Sequence, residues 1–124
     1  MGLLNGLLGN AGEISFEEAQ RESQHLLIEE EHIEKGFKTI RDLIIFTNLR
    51  LILIDKQGIT GKKVDYKSIP YKRINMFSME TAGRFDLDAE MKIWVSGVSV
   101  PIQKEFKKGE GILDVQHLLS SYTL

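Results

Sequence analysis

The chain has no cysteine. That removes disulfides, thiolate nucleophiles and cysteine-ligated zinc, and it fits a reducing cytoplasm. Long apolar runs are missing as well. Nothing approaches the roughly 18–20 residues that a membrane-spanning helix needs. The start, Met1 to Ser15, lacks the basic opening of a signal peptide, and its apolar part is broken by Gly and Asn. Proline is scarce: Pro70 and Pro101 are the only two, and each reads as the end or edge of a strand. Catalytic signatures are lacking too. There is no G-x-S-x-G. Gly58-Ile59-Thr60-Gly61-Lys62 echoes the end of a P-loop but lies between two strands, not between a strand and a helix. His25, Glu29, Glu30, Glu31 and His32 match no common metal-ligand spacing and read as a solvated acidic stretch. The expectation is a non-enzyme without cofactor or metal. A pI near 5.9 and the want of a recognition helix argue against nucleic acid as a partner.

With 124 residues the chain is one domain with room for one hydrophobic core. The net charge of −2 conceals a segregation. Residues 1–34 carry eight acids and one base, residues 35–84 eleven bases and four acids, and residues 85–124 six acids and four bases. An acidic first third and a basic middle suit either an anionic partner or contact between copies of the chain.

The most informative stretch is Asp42–Ile74, which packs two apolar runs, turn residues and an alternating segment into about thirty residues. It reads as an antiparallel meander. The expected strands are 32–40, 43–47, 49–55, 62–68, 74–80, 85–96 and a last one carrying Val98, Val100 and Ile102, joined to its neighbour by a two-residue Ser96-Gly97 hairpin. Both faces of Leu49–Ile54 are apolar, so a helix or another subunit should cover the second face. Ser15-Phe16-Glu17-Glu18 is a capping box opening a helix to about Gln24, with Phe16, Ala19 and Ser23 inward. Ile112, Val115, Leu118, Leu119 and Tyr122 predict a closing amphipathic helix. The predicted core is Ile45, Leu51, Leu53, Val64, Tyr66, Met91, Ile93, Val95, Val100, Ile112, Val115, Leu119 and Tyr122.

The segment Thr47-Asn48-Leu49-Arg50-Leu51-Ile52, followed by Asp55-Lys56-Gln57-Gly58, Thr60-Gly61-Lys62-Lys63, Tyr66 and Ser68-Ile69-Pro70-Tyr71, resembles the bacterial pleckstrin-homology (PH) domain family. Phe77-Ser78, Glu80-Thr81-Ala82-Gly83, Phe85-Asp86-Leu87-Asp88 and Lys92-Ile93-Trp94 extend the resemblance over nearly the whole chain. It implies a mainly β fold: a seven-stranded antiparallel, partly open barrel with a C-terminal capping helix. Along the chain, that barrel and its helix are expected at 31–124, behind an N-terminal helical arm at 1–30. The resemblance also implies assembly into ring-like homo-oligomers. Eukaryotic relatives often bind phosphoinositides through bases around the first strand–loop–strand. The equivalent here is short, Ile40-Arg41-Asp42-Leu43, with Lys35, Lys38 and Arg41 nearby.

Two sets of residues stand out. Lys62, Lys63, Lys67, Lys72 and Arg73 form the densest basic cluster, either an anion or lipid contact or a solvated, edge-protecting face. Leu3, Leu4, Leu7 and Leu8 share one side of a short N-terminal segment, and Trp94 lies on the polar face of its strand; these five are candidate interface residues. The leading expectation is a self-associating scaffold or adaptor, with itself and other proteins as partners. The alternative is a peripheral, anionic-lipid-binding adaptor in the cytoplasm that attaches to the membrane surface.

Overall fold

The computed structural model describes residues 11–57, 62–81, 83, 88–107 and 111–124. The four leucines at 3, 4, 7 and 8, the turn residues Gly58, Thr60 and Gly61, the start of the strand expected at Phe85, and the break at Gly109 and Glu110 lie outside them.

Eight strands and two helices follow in order: β1 (Gly12–Glu13), α1 (Phe16–Ser23), β2 (Ile33–Lys38), β3 (Leu43–Thr47), β4 (Arg50–Gln57), β5 (Lys63–Pro70), β6 (Ile74–Thr81), β7 (Ala89–Val95), β8 (Ile102–Phe106) and α2 (Ile112–Thr123). All ladders are antiparallel and form two sheets, β1-β2-β3-β4-β5 and β6-β7-β8. A 3₁₀ turn, Tyr71–Arg73, makes the corner between them. β2 to β8 are the seven barrel strands.

The two sheets meet at one seam. Ala11 forms a parallel bridge to Phe106, its N–H donating to Glu105 O at 2.7 Å and its carbonyl accepting from Lys107 N at 2.9 Å. Gly12 and Glu13 then pair with Lys38 and Phe37. Three residues therefore link β8 to β2. The outer edges of β5 and β6 have no strand partner among the described residues.

Alternation along the strands sorts side chains between two cores. The barrel interior holds Phe37, Ile44, Phe46, Leu51, Leu53, Met91, Ile93 and Phe106, plugged by Ile112, Val115 and Leu119 of α2. On the opposite face of the five-stranded sheet, Ile33, Leu43, Ile45, Ile52 and Ile54 pack under Ala19 of α1, with Ile14, Leu26 and Leu27 alongside. The two-faced apolar strand is thus covered by the chain's own arm. Gly36 permits that contact: a β-carbon there would lie 2.9 Å from Ala19 Cβ, an atom with no freedom to swing away.

Several expectations are corrected. Phe16 is exposed, and only Ala19 and Ser23 of α1 face inward. Ser15 caps the helix through Glu18 N at 3.1 Å, but the Glu18 carboxylate pairs with Lys38 instead of reaching back. Of the predicted core, Tyr66 (45% exposed) and Val100 (70%) lie outside. Val64 and Tyr66 sit on the arm side of β5, Val64 against the second core and Tyr66 edge-on to His25. The barrel side of β5 carries Ile69 and then Lys67, Asp65 and Lys63, in register with Leu51, Leu53, Asp55 and Gln57. The period was right and the face reversed. Val95 is only partly buried. Tyr122 is at the surface, stacked on Tyr71 with centroids 5.0 Å apart. Val98 and Val100 are not strand residues: β8 begins at Ile102, after a turn closed by Val98 N to Val95 O with Gly97 at φ 81°. Pro101, lacking an N–H, cannot donate into a ladder at that point.

Candidate functional site

The basic cluster spreads along one side of the molecule. Lys63 and Lys67 lie on β5, whose outer edge has no strand partner among the described residues, with Lys62 just before it, while Lys72 and Arg73 lie on the corner turn; all five are exposed. Among the described residues only Lys67 has an acid partner, Asp65 at 3.7 Å, with both side chains half exposed. Most of the other bases of the middle third are engaged within the chain. Lys35 meets Glu13 and Asp114, Lys38 meets Glu18, and Lys56 meets Glu22 at 3.7 Å. The acidic arm and the basic barrel therefore neutralise each other inside one subunit, and the β5 edge with its corner keeps the surplus positive charge.

The first strand–loop–strand is a different kind of place. Beside it lies a recess of about 300 Å³ lined by Thr39, Asp42, Ile44, Glu90, Gln103, Lys104 and Glu105. Burial, and then the hydrogen bond and charge of neighbouring Asp55, hold the Asp42 carboxyl above the usual carboxylate range, with Lys104 pulling the other way. With carboxyls prominent in its lining, and with Lys35 and Lys38 already paired to acids, this recess is poorly suited to a phosphate group.

The outer face of the three-stranded sheet changes character along its length. Glu80, Glu90 and Glu105 stand in register at one end, and Ser78, Lys92 and Gln103 in the middle. At the other end Trp94 stands opposite Met76. Trp94 is partly buried and Met76 is 53% exposed. The loop that follows adds exposed Val98 and Val100.

One assembly escaped the sequence reading. Glu31, expected in a solvated acidic stretch, has a fully buried side chain. Arg50 donates to both of its oxygens, Nε to Oε2 at 2.8 Å and NH2 to Oε1 at 3.0 Å. Thr47 Oγ1 donates to Oε2 at 2.7 Å, and Ile28 N to Oε1 at 3.1 Å. Arg50 also reaches Leu26 O and Ser68 Oγ, each at 2.8 Å. The Tyr71 hydroxyl donates to Thr47 O at 2.6 Å. Burial alone would raise the Glu31 pKa, but the Arg50, Thr47 and Ile28 hydrogen bonds outweigh it and hold the carboxyl below its ordinary value. This clamp fastens the arm to β3, β4 and β5. It is structural, with every charge satisfied. The sequence signal that could have found it was Thr47-Asn48-Leu49-Arg50, a turn followed by a base on an apolar strand that must find an acid.

Among the described residues no helix is long and apolar enough to cross a membrane. The family described as Bacterial PH domain matches residues 2–123. The chain is 57% identical over 122 residues to the uncharacterized protein YjqA of Bacillus subtilis, covering 98% of each. To YozO of the same organism it is 36% identical over 97 residues, 78% of this chain and 82% of that one. A solved structure of a protein with a pleckstrin-homology domain from Shewanella loihica is similar with a TM-score of 0.82 at 47% identity, covering 94% of this chain and 99% of the other. A pleckstrin-homology domain from Shewanella amazonensis gives 0.70 at 48% identity, covering 99% of both. A barrel of seven antiparallel strands plugged by a C-terminal helix agrees with these likenesses, and the chain belongs to the bacterial pleckstrin-homology domain family.

Proposed function

We propose that the chain is a non-enzymatic interaction module that self-associates into a homo-oligomer and acts as a scaffold or adaptor. The observation that carries this reading is the pair of eight-residue edges, β5 and β6, without strand partners among the described residues. Such edges are templates for strand addition unless they are blocked. Their surroundings differ in sign: Lys63 and Lys67 on β5 with Lys62 just before it, and Glu80, Glu90 and Glu105 on the sheet that β6 borders. A basic edge of one copy set against the acidic sheet of the next is a heterologous contact, the kind that closes into a ring when the rotation allows. The covered second face of β4 and the internally paired arm give this reading no support, so it rests on the edges alone. Light scattering on purified protein tests it. The expected result is a defined multimer at micromolar concentration whose mass falls when Lys62, Lys63 and Lys67 are all changed to Glu. A monomer throughout overturns it.

A second reading, a peripheral anionic-lipid adaptor, is favoured by the exposed bases at the β5 edge and corner. Each such base contributes about 1 kcal/mol at an anionic surface, so five together make a measurable attachment. Sedimentation with phosphatidylserine vesicles should carry the protein down at low salt. Release should follow as salt rises, or when Lys62, Lys63, Lys67, Lys72 and Arg73 are changed to Ser. No sedimentation at low salt removes this reading.

A further inference from the structure

The outer edge of β5 carries a row of backbone groups without a strand partner among the described residues. The ladder shows which residues own them. Arg50 N donates to Thr47 Oγ1 at 3.0 Å, and Pro70, which stands opposite Arg50, has no N–H. That pair therefore exchanges no bonds. Exchanging pairs alternate along an antiparallel ladder. Ile69, Lys67, Asp65 and Lys63 thus bond to β4 through Leu51, Leu53, Asp55 and Gln57. Counting across from the Thr39 N to Asp42 O bond, beside β2 and β3, gives the same alternation. Val64, Tyr66 and Ser68 are left with N–H and C=O turned outward. Asp65, Tyr66, Lys67 and Ser68 are all exposed, on alternating faces, so this stretch of edge is open among the described residues.

The side chains beside the edge select what can pair with it. Lys63, Asp65 and Lys67 stand on the barrel face, Val64 and Tyr66 on the arm face. Residues 62–73 hold five bases and one acid. Lysines on an edge repel another edge of the same sign and so guard against indiscriminate pairing. The same lysines favour a strand that brings acids, which is selection by charge. Every ladder of this sheet is antiparallel, and that fixes the order of the complement. Opposite Lys67, Tyr66, Asp65, Val64 and Lys63 in turn belong an acid, an apolar residue, a small polar residue, an apolar residue and an acid. Further acids ahead of these would meet Lys72 and Arg73. We infer that the β5 edge takes an extended acidic segment of a partner protein as an added antiparallel strand, bonded to the backbone of Val64, Tyr66 and Ser68 and held in register by Lys63 and Lys67. This deepens the adaptor half of the reading above: it rests on the open β5 edge, and not on self-association.

The probe is a blocked peptide, acetyl-Glu-Glu-Ala-Val-Glu-Val-Ser-Val-Glu-amide, carrying a fluorophore. Its anisotropy should rise as the full-length chain is added at low salt, and fall back as salt is raised. Lys63→Glu combined with Lys67→Glu should weaken binding about tenfold or more. Tyr66→Pro deletes an outward N–H and leaves the bonds to β4 in place. It should weaken binding about tenfold, whereas Tyr66→Val should not. Amide hydrogen exchange reads the same contact in the unchanged chain. Val64, Tyr66 and Ser68 should exchange fast in the free protein and slowly with peptide, while Asp65, Lys67 and Ile69 stay slow in both. No binding at low salt overturns the inference. Binding that ignores Tyr66→Pro and leaves those three amides fast also overturns it, because a basic surface alone would then hold the peptide. Edge amides that are slow in a multimer and become fast on dilution overturn it too, since the edge would belong to a second copy; that result supports self-association. A monomer whose fast edge amides are slowed by the peptide overturns self-association and supports the added strand.

Discussion

Replacing Arg50 by methionine should cost about 3–5 kcal/mol of folding stability, the usual penalty for removing one partner of a buried ion pair. The Glu31 carboxylate it leaves behind is fully shielded and would keep only the Thr47 hydroxyl and the Ile28 N–H. Denaturant unfolding at neutral pH gives the value, and a loss below about 1 kcal/mol would mean that water replaces the guanidinium. The pH dependence supplies a second reading. The carboxyl of Glu31 titrates below its ordinary range in the folded chain. Its contribution is therefore complete above the unfolded carboxyl value, about 4.3, and is lost as pH falls through the depressed folded value. In R50M the carboxyl has lost the cation that lowered its pKa, so the gap between wild type and variant should narrow as the solution is acidified into that window. A gap that stays constant would show that Arg50 acts through its packing and not through its charge.

Phe106→Ala should be as damaging, about 3–5 kcal/mol by the usual cost of emptying a buried aromatic site. Phe106 has no exposed surface, stands edge-to-face with Phe37 at 4.8 Å, and is the β8 residue bridged by Ala11. The substitution therefore opens a void where the chain that precedes β1 crosses between the sheets. Thermal unfolding followed by circular dichroism measures the loss. An expendable seam would show as a midpoint within a few degrees of wild type, since 1 kcal/mol moves a domain of this size by roughly 4 °C. The same seam sets the limit of a safe N-terminal deletion. Ala11 is fully buried, so removing residues 1–12 would strip a core residue and half of β1. A deletion that ends at residue 10 spares both.

The fold was legible because its strands announce themselves by alternation and its turns by their residue types. Leu43–Thr47 and Arg50–Gln57, with two apolar faces, could only be strands covered on both sides, and the structure supplies the second cover in α1. What alternation leaves open is which face points inward once a strand reaches the rim of a barrel. Val64 and Tyr66 look more like core than Lys63 and Lys67, yet the register with Leu51 and Leu53 turns the lysines to the barrel side. The two-residue hairpin at Ser96-Gly97 failed for a related reason: Pro101 delays the partner strand, and Val98 and Val100 are left outside. Glu31 was misread because an acid in an acidic run looks solvated until a base nineteen residues away is folded onto it. The five bases were legible as a cluster, since residues 62–73 run along one edge and round one corner. Their separation from the other bases was not, because it depends on the arm acids pairing with Lys35, Lys38 and Lys56.

The corner at Tyr71 has a consequence for the order of folding. Its hydroxyl holds Thr47, twenty-four residues back, and its ring stacks on Tyr122, whose hydroxyl reaches Glu34 across eighty-eight residues. Thr47 in turn holds Glu31. The network thus joins the arm, the barrel corner and the last turn of the chain, and each link closes a long loop whose entropy must be spent before the contact gives anything back. We expect contacts of this kind to form after the folding barrier, and so to slow the way out more than they speed the way in. The loss in R50M should therefore fall mainly on the unfolding rate, with refolding nearly unchanged. The clamp is then a latch, closed last and opened first, and it sets how long a folded copy lasts.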